Sequence, residues 1–431
     1  VLDGAIANVA LPTIAADLRT SPAESVWIVN AYQLAIIVCL LPFSFLGEMV
    51  GYRRVYQAGL LLFSCTSLLY ALADSLTPLT LARVLQGIGG AALMSVNTAL
   101  IRIIWPRRCL GRGLSINSLV VAVASAAGPT VAAGILAVGH WPWLFLINLP
   151  LGALALALGW RFLPPNPLPA STRRFDLPSA VMNALFFGLL VALLSGVAQG
   201  QSRGVLLGEL LLLLLVTPLF IRRQCGLAVP LLPVDLLRIP LFSLSIAASV
   251  CAFCAQMLAM VSLPFWLQSG LGRSEVTSGL LLTPWPLATM VLAPIAGRLI
   301  ERFHAGLLGA VGLGLFACGL LLLALLPTAP TDADIIWRMA LCGAGFGLFQ
   351  SPNNHTLITA APPVRSGGAS GMLDTARLLG QTSGAALVAL MFNLFAASGT
   401  HASLLLAAGF AAAATLVSAL RLSQPDAVRP Q

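Results

Sequence analysis

Val1-Leu2-Asp3-Gly4-Ala5-Ile6-Ala7-Asn8-Val9-Ala10-Leu11-Pro12 sets one carboxylate inside an otherwise apolar run. The chain around it has 431 residues, of which 58% are hydrophobic and 9% charged. A carboxylate in lipid costs about 2.5–3.5 kcal/mol on insertion scales, so its presence requires a functional or a pairing reason. With the helix ending near Pro12, Asp3 lies deeper by roughly 14 Å at 1.5 Å per residue. That is close to the midplane of a hydrocarbon core about 30 Å thick.

A mean hydropathy of +0.95 excludes an ordinary soluble protein. Only helices and closed barrels satisfy their backbone in lipid, and the long Leu/Ala/Val/Gly runs lack the alternation of barrel strands. The fold class expected is an all-α polytopic membrane protein. The first apolar stretch is too short to span, so the chain is expected to begin inside its first transmembrane helix.

The formal charge of +9 comes from 23 basic residues, all of them Arg. Reading the apolar segments as successive spans puts seventeen on one side, among them Arg53, Arg54, Arg222, Arg302 and Arg421. Only Arg19, Arg203 and Arg273 fall on the other, while Arg83, Arg338 and Arg377 lie within spans or near their ends. That asymmetry makes the first side cytoplasmic. The basic balance therefore reports topology and not a nucleic-acid partner. The eight Cys are scattered through apolar segments and read as buried small hydrophobes.

After the truncated first helix, hydropathy places spans at roughly 24–46, 55–73, 78–101, 113–138 and 144–163. Two more, roughly 178–199 and 205–222, precede a polar stretch ending near Pro240. The rest lie at roughly 241–268, 275–300, 306–326, 335–358, 368–396 and 401–421. Fourteen is an even number, so both termini are expected in the cytoplasm. Gly87, Gly89 and Asn97 correspond to Gly343, Gly345 and Asn353 at one offset of 256. That offset implies related halves, a signature of one transporter class with a central site. The expected division is 1–163 as an N-terminal six-helix bundle, 164–240 as a linker with two extra helices, 241–421 as a C-terminal six-helix bundle and 422–431 as a tail.

On these residues the sequence resembles the major facilitator superfamily, in particular its fourteen-helix drug:proton antiporter branch, over essentially the whole chain. Leu2-Asp3 through Leu11-Pro12 is similar to that branch's first-helix motif, whose acid is associated with protons or cationic drugs. A carboxylate in low dielectric resists ionisation, which agrees with that role; neutralisation by a structural Arg is the alternative. Ser44-Phe45-Leu46-Gly47-Glu48-Met49-Val50-Gly51-Tyr52-Arg53-Arg54 resembles the superfamily's cytoplasmic gating motif. Glu48 stands for its usual Asp, and Ser44 and Met49 depart from its first Gly and its Arg. Glu301-Arg302 is the corresponding charged pair in the second half. Arg53 and Arg54 also suit plain positive-inside anchors.

Leu81-Ala82-Arg83-Val84-Leu85-Gln86-Gly87-Ile88-Gly89-Gly90 resembles the fourth-helix motif. Arg83 lies roughly 8 Å inside the outer end and needs a partner, for which Asp3 is the candidate. Ala124-Ser125-Ala126-Ala127-Gly128-Pro129-Thr130 through Gly134 is similar to the fifth-helix antiporter motif, with Ala132-Ala133 in place of its Gly-Gly. Gly128-Pro129 inside a helix removes a hydrogen bond and gives a pliable gate element. Trp141-Pro142-Trp143 through Asn148-Leu149-Pro150-Leu151-Gly152 resembles the start of the branch's sixth helix, with Trp141 and Trp143 read as interfacial anchors.

Asp374 and Arg377 are three apart, so they share a helix face and could pair. They form a second proton or cation site or a self-neutralising pair, and the branch more often has a neutral residue at Asp374. Gln350 through His355 forms a polar patch that lines the cavity or a wet helix end, and Glu209 reads as interfacial. Trp27, Tyr32, Gln86, Asn117, Phe265, Trp266 and Asn353 are the cavity candidates, packing being the alternative for the aromatic ones.

The function expected is proton-coupled export of amphipathic compounds by alternating access, with Asp3, Arg83, Asp374 and Arg377 coupling the proton. The extra helix pair is expected at the periphery. The partners expected are protons, a small amphipathic substrate and membrane lipid, for a monomer in a bacterial inner membrane. No cofactor or metal is called for, because the proton gradient supplies the energy. An importer, or a transporter of one metabolite or lipid, fits the same scaffold. A receptor lacks a visible signalling domain, and an embedded enzyme lacks a His/Asp/Glu constellation.

Overall fold

A computed structural model describes residues 2–423 apart from 71–72, 107–109, 165–175, 199, 228–229, 233, 301, 328–329, 363–365 and 396–397. Fourteen long helical segments follow one another in it. They are α1 (Leu2–Asp17), α2 (Pro22–Val50), α3 (Tyr52–Tyr70), α4 (Leu76–Ile104), α5 (Leu110–Val138), α6 (Trp143–Phe162) and α7 (Leu177–Ala198). Then come α8 (Arg203–Cys225), α9 (Pro240–Gly270), α10 (Glu275–Leu299), α11 (Ala305–Ala324), α12 (Asp332–Ala360), α13 (Ser366–Leu394) and α14 (Gly399–Leu420). An all-helical answer is forced where the backbone must satisfy its own hydrogen bonds.

Among the described residues, nine of these helices are long and apolar enough to cross a membrane by length and composition alone. The others include α12 and α13, which carry Arg338, Asn353, Asp374 and Arg377; Asn353 is buried and the three charged residues are half-buried. The architecture is two six-helix bundles, α1–α6 and α9–α14, with α7 and α8 between them in the chain.

The offset of 256 has a packing counterpart. A Cβ on Gly87 would come 2.6 Å from the Tyr32 carbonyl of α2, and one on Gly343 would strike the Trp285 carbonyl of α10. A Cβ on Gly89 would meet Gly59 O at 2.8 Å, and one on Gly345 would meet Gly312 O at 2.6 Å. Each bundle therefore wedges one glycine-faced helix, α4 or α12, between two neighbours at backbone contact. Small residues permit that approach in lipid, where no hydrophobic force drives helices together.

On the side away from the arginine-rich loops the bundles are bolted together. Thr13 Oγ1 on α1 donates to Glu275 Oε1 on α10 at 2.7 Å. Gln268 Nε2 donates to the Val9 carbonyl at 3.1 Å. Thr130 and Thr283 hydroxyls meet at 2.9 Å.

The extra pair lies on the outside of the bundles, with α7 the more covered of the two. Helix α7 lies across the seam between the bundles, because Phe187 packs with Ile36, Ile37 and Leu40 of α2 and with Leu378 of α13. Asn183 Nδ2 also donates to the Val38 carbonyl at 2.9 Å. Helix α8 faces outward most completely, and its leucines are largely exposed. Below α7, Arg223 Nη2 meets Asp176 Oδ1 at 2.7 Å. Burial alone would raise the Asp176 carboxyl, but hydrogen bonds from Ser179 and Arg223 outweigh it and hold the group below the usual carboxylate range.

Trp141 is likewise not an interfacial anchor. It is buried, and its Nε1 donates to Asp17 Oδ2 at 2.7 Å, pinning the end of α1. Trp143 is the exposed one of the two. Glu209, read as interfacial, has one carboxylate oxygen sealed without a hydrogen-bond partner. The helical stripe that carries it also bears buried Val216, Phe220 and Gln224.

Candidate functional site

Asp3 on α1 and Arg83 on α4 come together in the interior of the first bundle. Arg83 Nη1 lies 2.7 Å from Asp3 Oδ2, with the two side chains 1% and 5% exposed. Two more donors complete the carboxylate. Asn148 Nδ2 donates to Oδ1 at 2.8 Å, and Gln86 Nε2 donates to the same oxygen at 3.3 Å. Gln86 Oε1 in turn accepts from Arg83 Nη1 at 2.9 Å and from the Tyr70 hydroxyl at 2.7 Å.

Local structure explains why these groups converge. Arg83 and Gln86 are three apart on α4, so they share a face. Helix α6 is interrupted at Ile147 and restarts at Asn148, which presents that amide to α1. Around the guanidinium the walls are aromatic. Its Cζ lies 4.8 Å from the Phe145 ring centroid, 5.1 Å from Tyr32 and 5.6 Å from Tyr70. Rings this close stabilise a desolvated cation by about 2 kcal/mol or more. The paired carboxylate and the rings together make a buried Arg tolerable.

The geometry has a chemical consequence. Three donors occupy three of the roughly four lone-pair positions of the carboxylate, two on Oδ1 and one on Oδ2. A proton placed on Asp3 would remove the charge that these donors serve, and so would weaken its contacts with Arg83, Asn148 and Gln86 of α4 and α6. Asp3 lies on α1, the helix that also carries Val9 and Thr13, which bolt the two bundles.

Asp374 and Arg377 lie half-buried on α13. Among the described ion pairs none joins them, and Arg377 Nε is sealed without a hydrogen-bond partner. Tyr32 stands between the two charged centres, within electrostatic reach of Asp3, Arg83 and Arg377. One residue on, Gln33 Nε2 reaches Gln381 Oε1 of α13 at 3.4 Å.

The cavity candidates divide. Gln86 and Asn353 are sealed at 0% and 1% exposure, because each amide is committed to a buried guanidinium. Asn353 Oδ1 accepts from Arg421 Nη1 at 2.8 Å. Asn117 accepts from Asn97 Nδ2 at 3.1 Å. Phe265 sets its ring edge-to-face on Phe392 at 5.1 Å, Trp266 packs on the same apolar core, and Trp27 is half-buried at the head of α2. Of this group only Tyr32 and Gln86 join the Asp3 centre.

Among the gate candidates, Arg53 Nη2 donates to the Trp160 carbonyl at 2.7 Å and so ties α3 to the end of α6. Glu48, Arg54 and Arg302 are exposed at helix ends, and Glu301 lies outside the described residues. A Cβ on Gly128 would strike Ala5 of α1. The Pro129 carbonyl faces Gly279 of α10, where a Cβ would come within 2.6 Å. Gly128-Pro129 therefore sits where the first bundle touches the second.

Sequence reasoning missed Asn148, Tyr70 and Phe145 around the ion pair. It also counted Arg421 only among the arginines of the cytoplasmic side and named no partner for it; that residue is fully buried and bonded to Ser245, Asn353 and Ser418. A signal for Asn148 was available: an amide one turn inside an apolar segment needs a buried partner.

The family model described as the Major Facilitator Superfamily matches residues 1–385 and 246–430. The chain is 70% identical over 425 residues to a protein of Escherichia coli (strain K12) named as the uncharacterized transporter YebQ, covering 99% of this chain and 93% of that one. It is 30% identical over 391 residues to the riboflavin transporter RibZ of Clostridioides difficile (strain 630), covering 91% and 85%. It is also 30% identical over 399 residues to the multidrug efflux pump LfrA of Mycolicibacterium smegmatis, covering 91% and 78%. A solved bacterial homologue of the human lysosomal transporter Spinster, inward-facing and occupied, superposes with a TM-score of 0.71 over 98% of this chain and 94% of that one. At 15% identity that likeness speaks for the fold alone.

Proposed function

The chain belongs to the major facilitator superfamily, and from that premise we propose that it is a proton-coupled antiporter exporting amphipathic compounds by alternating access. The observation that carries the reading is Asp3, buried beside Arg83 on the helix that also bolts the two bundles together. A proton arriving on Asp3 removes the charge that its donors from α4 and α6 serve, and so loosens the seat of α1. The Thr13–Glu275 and Val9–Gln268 contacts exist in the orientation closed on that side, so anything that reseats α1 changes the balance of orientations. Proton and substrate are coupled because each has a different affinity for the two orientations.

In this reading the protein works in a bacterial inner membrane with both termini in the cytoplasm, as the arginine asymmetry supports. The proton gradient supplies the energy, and the chain acts as a monomer without a cofactor. Multidrug export draws support from the likeness to LfrA. Transport of one defined metabolite is the second reading, favoured by the equal identity to RibZ, a riboflavin transporter. Everted vesicles separate the two. With their lumen acidified, export appears as uptake into the vesicle, abolished by a protonophore. A multidrug pump takes up several unrelated lipophilic dyes. Uptake of riboflavin alone supports the second reading, and uptake that ignores the proton gradient refutes both.

A further inference from the structure

A groove of about 450 Å³ opens between the α7–α8 hairpin and α13, on the side where Arg203 begins α8. Its walls are Leu193 and Val197 of α7, Leu207 and Leu210 of α8, and Leu387 and Leu390 of α13. The groove exists because α7 grips the seam near its middle, through Phe187 and Leu378, while the far end of α13 runs on beyond that contact. Near the turn the hairpin is closed by Gly196, where a Cβ would come 2.9 Å from Leu206. The space is thus a slot between three helices, apolar along its length.

Arg203 is the one charged residue on the described wall, and none of the described ion pairs engages it. Glu209, the nearest acid along α8, does not line the groove. From Arg203 to Leu210 the helix descends roughly 10 Å. A cationic mouth above an apolar slot of that depth matches a molecule with a negative head and a hydrocarbon tail. The long guanidinium stem can lie along the leucines while its head stays at the interface.

We propose that this groove binds an anionic phospholipid, with one acyl chain between α8 and α13 and its phosphate against Arg203. The lipid fills the slot that the hairpin leaves beside the second bundle, and so holds the extra helices against α13. This site is independent of the direction of transport and of the substrate.

The test is native mass spectrometry of the purified full chain, delipidated and titrated with phosphatidylglycerol or phosphatidylcholine of the same chain length. The wild type should retain phosphatidylglycerol about fivefold better, the weight of one guanidinium at a lipid surface. Arg203→Gln should erase that preference. Leu210→Trp, which fills the slot, should lower retention of both lipids. If that variant does not fold, shortening the acyl chains from sixteen to eight carbons, on the order of halving the buried hydrocarbon, should have the same effect. Glycerophosphate, the head without a tail, should not compete. A preference that survives Arg203→Gln, retention indifferent to both slot filling and chain length, or displacement by glycerophosphate would each overturn the proposal.

Discussion

Replacing Arg83 with Met removes a guanidinium that is 1% exposed and leaves Asp3, 5% exposed, without its countercharge. Breaking a buried pair from one side costs about 3–5 kcal/mol, because the surviving ion is desolvated and uncompensated. Part of that cost is offset here, since Asn148 and Gln86 still donate to Asp3. Met also fills much of the space between the Phe145, Tyr32 and Tyr70 rings. The expected loss for Arg83→Met is therefore about 3 kcal/mol, at the lower end of the range. Asp3→Asn is expected to cost a similar amount, because Arg83 then keeps only neutral acceptors and the aromatic rings. The double variant removes both charges and should cost much less than the two losses added together. A coupling of about 2 kcal/mol or more is the expected non-additivity for contacting residues. The assay is unfolding of the four proteins of the cycle in the same lipid–detergent micelle, read as free energy where the transition is reversible. Additivity within about 0.5 kcal/mol, the behaviour of independent sites, would refute the claim that the pair supports itself.

Further outcomes are expected at Asn148, at the packed glycines and at Asp176. Asn148→Leu removes a donor from the carboxylate and should destabilise the protein by about 1–3 kcal/mol in the same assay, whereas Asn148→Gln should recover part of that. Gly87→Ala and Gly343→Ala place a methyl against the Tyr32 and Trp285 carbonyls, so both should abolish folded yield in size-exclusion chromatography. Gly188→Ala meets nothing within 4 Å and should be neutral or stabilising by up to about 1 kcal/mol. The lowered carboxyl of Asp176 contributes stability that is present above the unfolded value near pH 4 and is lost as pH falls through its lower folded value. Hydrogen exchange at the Asp176 end of α7 should therefore be flat from about pH 5 to 8, once corrected for intrinsic rates, and rise only in stronger acid. Asp176→Asn should loosen that end across about pH 5 to 8, by under about 1 kcal/mol for a partly exposed pair, and the difference from wild type should vanish in stronger acid.

The helices were readable in the sequence because lipid leaves the backbone few choices and long apolar runs advertise them. Asp3 and Arg83 were readable for the complementary reason: an ionised group in such a run must have a partner. Asn148 gave a weaker signal, because a neutral amide costs less to bury than a charge, and the break in α6 shows where it points. The partners of Arg421 were not legible because spacing alone does not distinguish an Arg that reaches back to water from one that turns inward to Ser245 and Asn353. Asp374 and Arg377 have the spacing of a pair, yet helix geometry places only their Cβ atoms, and the side chains do not close. The seat of α7 was invisible because a helix against another helix and a helix against lipid present equally apolar faces.

The central claim is that Asp3 carries the transported proton. Its most direct test is substrate-driven proton release by the purified protein in weak buffer, comparing wild type with Asp3→Asn. The wild type is expected to release protons when substrate is added, in an amount that depends on pH, and Asp3→Asn to bind substrate without release. An Asp3→Asn protein that keeps full coupled release with an unchanged pH dependence would contradict the assignment.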